Sequence, residues 1–203
     1  MAKIGILGGS FNPLHNLHIE LGLSALKDYH LDKILVMPTG RPPHKMLAVG
    51  ASNEDRVNMV KAVISNYDNF ELDLFEMEQV EQTYTYKTLS IYKEKYSCDE
   101  LFFIMGEDSL DMFPTWVNPE IICQKATMLV GQRANSDESD SFTKKLDKLS
   151  KELNGTFLPL SSPKMDISST MIRNLIKSGE EWKHLVPKEV YSYIKEKGIY
   201  NYV

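Results

Sequence analysis

Six short apolar runs alternate along this chain with stretches of helical spacing, and that alternation narrows the possible folds more than any other feature. The runs are Ile4–Leu7, Lys33–Met37, Phe70–Leu74, Leu101–Met105, Thr127–Gly131 and Thr156–Leu160. Each is short, as strands are, and bounded by polar or turn-forming residues. Between them Ile19/Leu23/Leu26, Val57/Val60/Ile64 and Leu89/Tyr92/Tyr96 recur at spacings of three and four, which predicts helices with an apolar stripe. Ser52 followed three residues later by Asp55 predicts a capping box at the start of the second. Strands that are apolar along their length and joined through helices make a parallel sheet covered on both faces. The expected class is therefore α/β, a Rossmann-like doubly wound parallel sheet with right-handed crossovers.

The end of the chain reads differently. Ala134–Ser141 is polar and acidic and is expected to be an exposed loop, followed by a surface helix over Lys144–Leu153. Ser161-Ser162-Pro163 breaks the pattern. Helices return at Ser168–Lys177 and Pro187–Lys197, with Pro187 suited to a first helical position. A chain of 203 residues can bury one good core, so a single domain over 1–203 is expected, with a small helical C-terminal portion from about 161.

Charge and composition exclude several roles. A net charge of −5 argues against a broad nucleic-acid face. No apolar run approaches the ~20 residues that span a bilayer. Cys98 and Cys123 have neither CxxC nor metal-ligand spacing, so a reduced, cytoplasmic protein is expected.

The chemistry starts where the first strand hands over to the first helix, in Gly8-Gly9-Ser10-Phe11-Asn12-Pro13-Leu14-His15-Asn16-Leu17-His18. Backbone N–H groups at such a junction point outward unpaired and bind phosphate. His15 and His18 are three apart and share a face. An imidazole near its pKa can donate to a phosphoryl oxygen and carry partial positive charge. The segment has neither a P-loop ending nor GxGxxG. A second anion-binding start is Ile167-Ser168-Ser169-Thr170-Met171-Ile172-Arg173. There Ser168 or Ser169 can cap a helix, and Arg173 offers a planar fork one turn on.

Together these two segments closely resemble the signature of the nucleotidylyltransferase superfamily, with Leu17 where the usual His-x-Gly-His has glycine. Three more segments are similar to bacterial nicotinate mononucleotide adenylyltransferases: Pro42-Pro43-His44-Lys45, Thr83-Tyr84-Thr85-Tyr86-Lys87-Thr88, and Gly106-Glu107-Asp108 with Trp116 beyond it. The resemblance implies a nucleotidylyltransferase-type fold and transfer of the adenylyl group of ATP to nicotinate mononucleotide, in NAD synthesis. It implies catalytic roles for His15, His18, Lys45 and Arg173. ATP would be met by Gly8, Gly9, Ser10, Phe11, Gly106, Asp108, Arg133, Ser168, Ser169 and Thr170. The acceptor would be met by His44, Thr85, Tyr86 and Trp116, the last stacking on the pyridinium ring. Mg²⁺ would be held mainly by ATP and water, with no dedicated protein metal site. Pantetheine phosphate and the amide mononucleotide are the rival acceptors, and a nucleotide-binding sensor without catalysis is the rival from another class. The oligomeric state stays open, a homodimer included.

Overall fold

The computed structural model describes residues 1–40, 50–133 and 139–200. Six strands form one sheet: β1 (Lys3–Gly9), β2 (Lys33–Pro38), β3 (Phe70–Leu72), β4 (Glu100–Gly106), β5 (Thr127–Gly131) and β6 (Phe157–Leu160). Their order is β3-β2-β1-β4-β5-β6 and every pairing is parallel. This is the doubly wound order 3-2-1-4-5-6.

Successive strand residues face opposite sides, and both sides are covered. On one, Leu7, Ile34, Val36, Ile104 and Leu129 pack with α1 (Asn16–Tyr29), α2 (Asn53–Ile64), α7 (Ser169–Ser178) and α8 (Lys188–Lys197). On the other, Ile4, Ile6, Leu35, Met105 and Val130 pack with α3 (Thr85–Lys95), α4 (Glu107–Met112), α5 (Pro119–Lys125) and α6 (Ser139–Glu152). Each large aliphatic side chain buried this way contributes roughly 1.5–3 kcal/mol.

Several expectations are corrected. The first strand runs on through Gly8 and Gly9, which pair with Met37 and Pro38. The third stops at Leu72, because the Asp73 carboxylate turns the chain by accepting the Phe75 N–H at 2.9 Å. Ser139–Ser141 belong to α6 rather than to a loop. That helix is not merely a surface one, since Phe142, Leu146 and Leu149 are buried in the core. Residues 134–138 lie outside the described residues. On α1 the deepest residues are Ile19, Leu21, Gly22, Ser24 and Ala25, while Leu23 and Leu26 are only partly buried. Small residues bring the helix close to the sheet: a Cβ on Gly22 would meet the Phe70 ring at 2.6 Å. Pro187 caps α8 instead of starting it. The Ser52–Asp55 capping box forms as expected, with both reciprocal bonds present.

Candidate active site

The strand order reverses between β1 and β4, and a crevice opens at the carboxyl ends of the strands there, where such sheets bind ligands. Two adjoining clefts occupy it. One, of about 450 Å³, is polar and runs from Gly9 and Ser10 past His15 and His18 to Asp108, Arg133 and the Ser168–Thr170 turn. The other, of about 280 Å³, is mostly apolar and is bounded by Met37, Glu76, Tyr84, Thr85, Leu89 and Trp116. Gly8, Gly9, Thr39, Phe103, Ser109 and Trp116 line both.

The polar cleft is built around the turn from β1 to α1. His15 is the N-cap of α1 and its backbone N–H donates to Nδ1 of His18 at 3.1 Å. The two rings stack with centroids 3.6 Å apart. Because Nδ1 of His18 accepts, the proton of the neutral ring sits on Nε2, which remains a donor. Burial pushes the pKa of His15 down to about 3. His18 is also held well below its ordinary value, by burial and then by the neighbouring His15. Both rings are therefore neutral at pH 7 in this structure, which corrects the expectation of partial positive charge. They offer N–H donors, and a bound triphosphate would draw protons toward them. Nδ1 of His15 is buried with no hydrogen-bond partner among the described residues.

Four carbonyls of this turn are engaged by the fold. Gly9 O accepts from the Thr39 N–H at 2.9 Å, and Ser10 O from Arg56 at 2.8 Å. Asn12 O accepts from Arg173 at 2.6 Å, and Pro13 O from the Ser169 hydroxyl at 2.9 Å. The buried Tyr200 hydroxyl adds a bond to the Asn12 side chain at 2.5 Å. With the carbonyls held by protein donors, backbone N–H groups are what the turn can offer an anion. Phe11, at φ 45°, lies fully buried edge-on to His18, so it supports the turn rather than lining the cleft.

The remaining expected residues fall on both sides of the prediction. Ser168 caps α7, accepting the Met171 N–H at 3.1 Å, and Ser168, Ser169 and Thr170 all line the polar cleft. Arg173 does not line it. Its guanidinium is turned to Asn12 and Thr170, so the structure presents it as a brace of the turn. Gly106 precedes α4 and lines the polar cleft. Asp108 pairs with Arg133 at 2.8 Å at the mouth of this cleft. Leu17 lies half-buried on its wall, and α1 runs unbroken through it.

At the apolar cleft, α3 starts at Thr85 without a side-chain cap, so its first N–H groups lack a partner within the helix. Trp116 stands over it, packed edge-on against Phe103. Tyr86 does not line this cleft, and its neighbour Tyr84 does. His44 and Lys45 lie outside the described residues.

Three buried charged residues were not signalled by the sequence. Arg56 is fully buried beneath the turn. Glu107 accepts the Arg133 N–H at 2.9 Å and faces Lys145, which also pairs with Asp111. Glu76 lies in the apolar cleft wall, accepting from Thr88 at 2.8 Å and Thr83 at 3.3 Å. Burial raises its pKa, partly offset by those hydroxyls. Each looks like an ordinary surface charge in sequence. Among the described residues no group of three or more His, Cys, Asp or Glu is placed to hold a metal ion.

Residues 6–175 match the Cytidylyltransferase-like family. A relative from Clostridium tetani, named probable nicotinate-nucleotide adenylyltransferase, is 36% identical over 98% of this chain and 100% of its own length. One from Lachnoclostridium phytofermentans with the same name is 34% identical with the same coverage. In fold, the chain is similar to the Plasmodium falciparum nicotinic acid mononucleotide adenylyltransferase complexed with NaAD, with a TM-score of 0.77, 22% identity and 98% of each chain covered. The motifs, the strand order, the paired clefts and full-length identity above a third agree, and the chain belongs to the nicotinate-nucleotide adenylyltransferases of the Cytidylyltransferase-like family.

Proposed function

We infer that this protein is an enzyme that transfers the adenylyl group of ATP to nicotinate mononucleotide, forming nicotinate adenine dinucleotide and pyrophosphate in NAD biosynthesis. The observation that carries the reading in this chain is the pair of clefts sharing the Gly8–Gly9 floor. One suits a triphosphate and the other a flat ring bearing a carboxylate.

In the proposed reaction a 5′-phosphate oxygen of the mononucleotide attacks the α-phosphorus of ATP. The bond from that phosphorus to the bridging oxygen breaks, and pyrophosphate leaves with the electron pair. The nucleophile is already ionised, so the protein need supply no general base. Its work is positioning and stabilisation of charge. His18 donates through Nε2–H to a phosphoryl oxygen, and His15 lies stacked beside it. The turn's N–H groups and the start of α7 hold the triphosphate. Arg173 acts through the turn it braces, and Lys45 is assigned to the phosphates on resemblance alone. Asp108 and Arg133 bound the adenosine side. At the start of α3, unpaired N–H groups around Thr85 receive the nicotinate carboxylate, and Trp116 covers the pyridinium face.

The cleft carboxylates Glu107 and Asp108 already face Lys145 and Arg133, so the donor set suits a Mg²⁺ ion carried by ATP oxygens and water. Such an ion neutralises phosphate charge. No helix among the described residues is long and apolar enough to cross a membrane. The free thiols of Cys98 and Cys123 fit a reducing cytoplasm, where we place the reaction. Described residues of one chain line both clefts, which supports a site formed within a single copy and acting on small molecules rather than nucleic acid. We treat residues 1–203 as one catalytic domain.

The test is pyrophosphate release with nicotinate mononucleotide, its amide, or pantetheine phosphate as sole acceptor. Release with the nicotinate acceptor at least ~10-fold above the others is expected. Equal rates with the amide would remove the nicotinate assignment, and ATP binding without release would leave only a sensor.

A further inference from the structure

Arg56 on α2 has no part in the chemistry above, yet its side chain is fully buried. Its Nη1 donates to two carbonyls, Ser10 O at 2.8 Å and Thr39 O at 2.9 Å. Its Nη2 donates to the Asn53 side chain at 2.7 Å, and Nε is buried with no partner among the described residues. No carboxylate among the described residues forms an ion pair with it. A buried guanidinium without a counter-ion is costly, and an apolar residue of similar volume would pack there more cheaply. What an apolar side chain cannot do is hold two carbonyls at a set distance.

Those two carbonyls belong to the two walls of the site. Ser10 follows β1 and lines the polar cleft, while Thr39 follows β2 and lines both clefts. The Thr39 N–H already reaches Gly9 O at 2.9 Å, so Arg56 closes a second tie across the same gap. The other braces, Arg173, Ser169 and Tyr200, bond the turn at residues 12 and 13. Among these braces, Arg56 alone spans from the phosphate turn to the wall shared with the acceptor.

We propose that Arg56 is a positioning residue for adenylyl transfer, fixing the separation of the Ser10 and Thr39 carbonyls so that the acceptor phosphate lines up with the α-phosphorus. The proposal rests on the adenylyl-transfer reading. In-line attack tolerates little misplacement, and a shift of about 1 Å can cost ~100-fold in rate. Each cleft keeps its own binding groups when Arg56 is changed. The signature is therefore a fall in kcat with both KM values nearly unchanged.

The experiment compares wild type, Arg56→Lys, Arg56→Gln and Asn53→Ala in pyrophosphate release from ATP and nicotinate mononucleotide. Rates are taken per folded molecule, well below each melting midpoint. Arg56→Gln should lose ~100-fold in kcat and Arg56→Lys ~10-fold, since an ammonium can still reach one carbonyl, with both KM values within ~3-fold. Asn53 is exposed, so Asn53→Ala should fold and lose a few-fold in kcat by loosening the outer end of the guanidinium, where among the described residues only the Met77 Sδ contact at 3.5 Å then holds Nη2. A lower melting midpoint with kcat within ~3-fold of wild type in Arg56→Gln would make the residue merely structural and overturn the proposal. So would a loss carried by one KM alone, or, if Arg56→Gln does not fold, an unchanged kcat in Asn53→Ala. Wild type failing with nicotinate mononucleotide counts against the reaction. A normal wild type with undiminished variants counts against Arg56.

Discussion

The two clefts are built on opposite principles. The polar one is centred on a backbone turn, four of whose carbonyls are tied off by Thr39, Arg56, Arg173 and Ser169 from three other parts of the fold. The apolar one is mostly side chains, grouped on the start of α3, the end of β2 and the segment around Trp116. Phosphate is the same in every nucleotide and can be met by a rigid framework. The acceptor ring has to be told from its relatives, and the groups that do so are few and individually replaceable. Changes in the polar cleft should therefore strike turnover, and changes in the apolar cleft should strike the acceptor's KM.

The largest effect is expected at His18. One preorganised donor to developing charge is worth on the order of 3–4 kcal/mol, or ~10²–10³ in rate. His18→Ala should lose at least ~100-fold in kcat with KM for ATP changed only a few-fold. Steady-state kinetics at saturating acceptor read this directly, and near-normal turnover would break the division between the clefts.

The same histidines give the polar cleft a pH signature. Burial holds His15 at about 3 against its ordinary 6.5, so the unfolded chain takes up the proton first as pH falls. Stability from this group is fully present above pH 6.5 and is lost on the way down toward 3. At pH 5 the loss is about 2 kcal/mol for His15 alone. Urea midpoints at pH 7.5 and pH 5 should separate more in wild type than in His15→Asn, and equal separations would show that the ring is not buried neutral.

This difference between the clefts also explains what could be read from the sequence. The sheet was readable because strands covered on both faces are apolar throughout, and Thr127–Gly131 has the bounds expected of it. Gly8 and Gly9 read as a turn by propensity, but pairing with β2 keeps them in the strand. The sequence singles out the histidines and Ser168–Thr170 because phosphate chemistry needs those residue types at short spacing, and the fold brings them to one cleft. The apolar cleft was readable only through resemblance, since a wall of Met37, Leu89 and Trp116 has the composition of any core. Arg56, Glu76 and Glu107 were missed because burial of a charge is decided by tertiary packing. The orientation of Arg173 was hidden for a related reason: a fork near an anion site can point to the anion or to the carbonyls behind it, and in this structure Arg173 takes the carbonyl of Asn12.

Trp116 borders both clefts, so it shows how sharp the division is. Stacking plus a cation–π term is worth about 1–2 kcal/mol in a partly desolvated site. Trp116→Ala should raise KM for nicotinate mononucleotide ~10-fold and leave KM for ATP within ~3-fold. A comparable rise for ATP would mean that the ring serves the shared floor instead of the pyridinium.

The smallest predicted effect concerns discrimination, at Glu76. Its carboxylate borders the cleft assigned to an acceptor that carries a carboxylate of its own, and two like charges near each other in a poorly solvated site repel. Burial raises the pKa of Glu76, which lessens the repulsion by favouring the neutral form. Thr83 and Thr88 donate to it and pull the other way. Glu76→Gln keeps an acceptor oxygen for Thr88 and removes the charge. It should lower KM for nicotinate mononucleotide by ~2–5-fold, by less as the pH falls and the wild-type carboxyl takes up its proton, and leave KM for the amide and for ATP unchanged. An equal shift for acid and amide would locate the effect in the Thr83–Thr88 scaffold, and a higher KM for the acid would mean that the carboxylate is needed to hold the start of α3 in place.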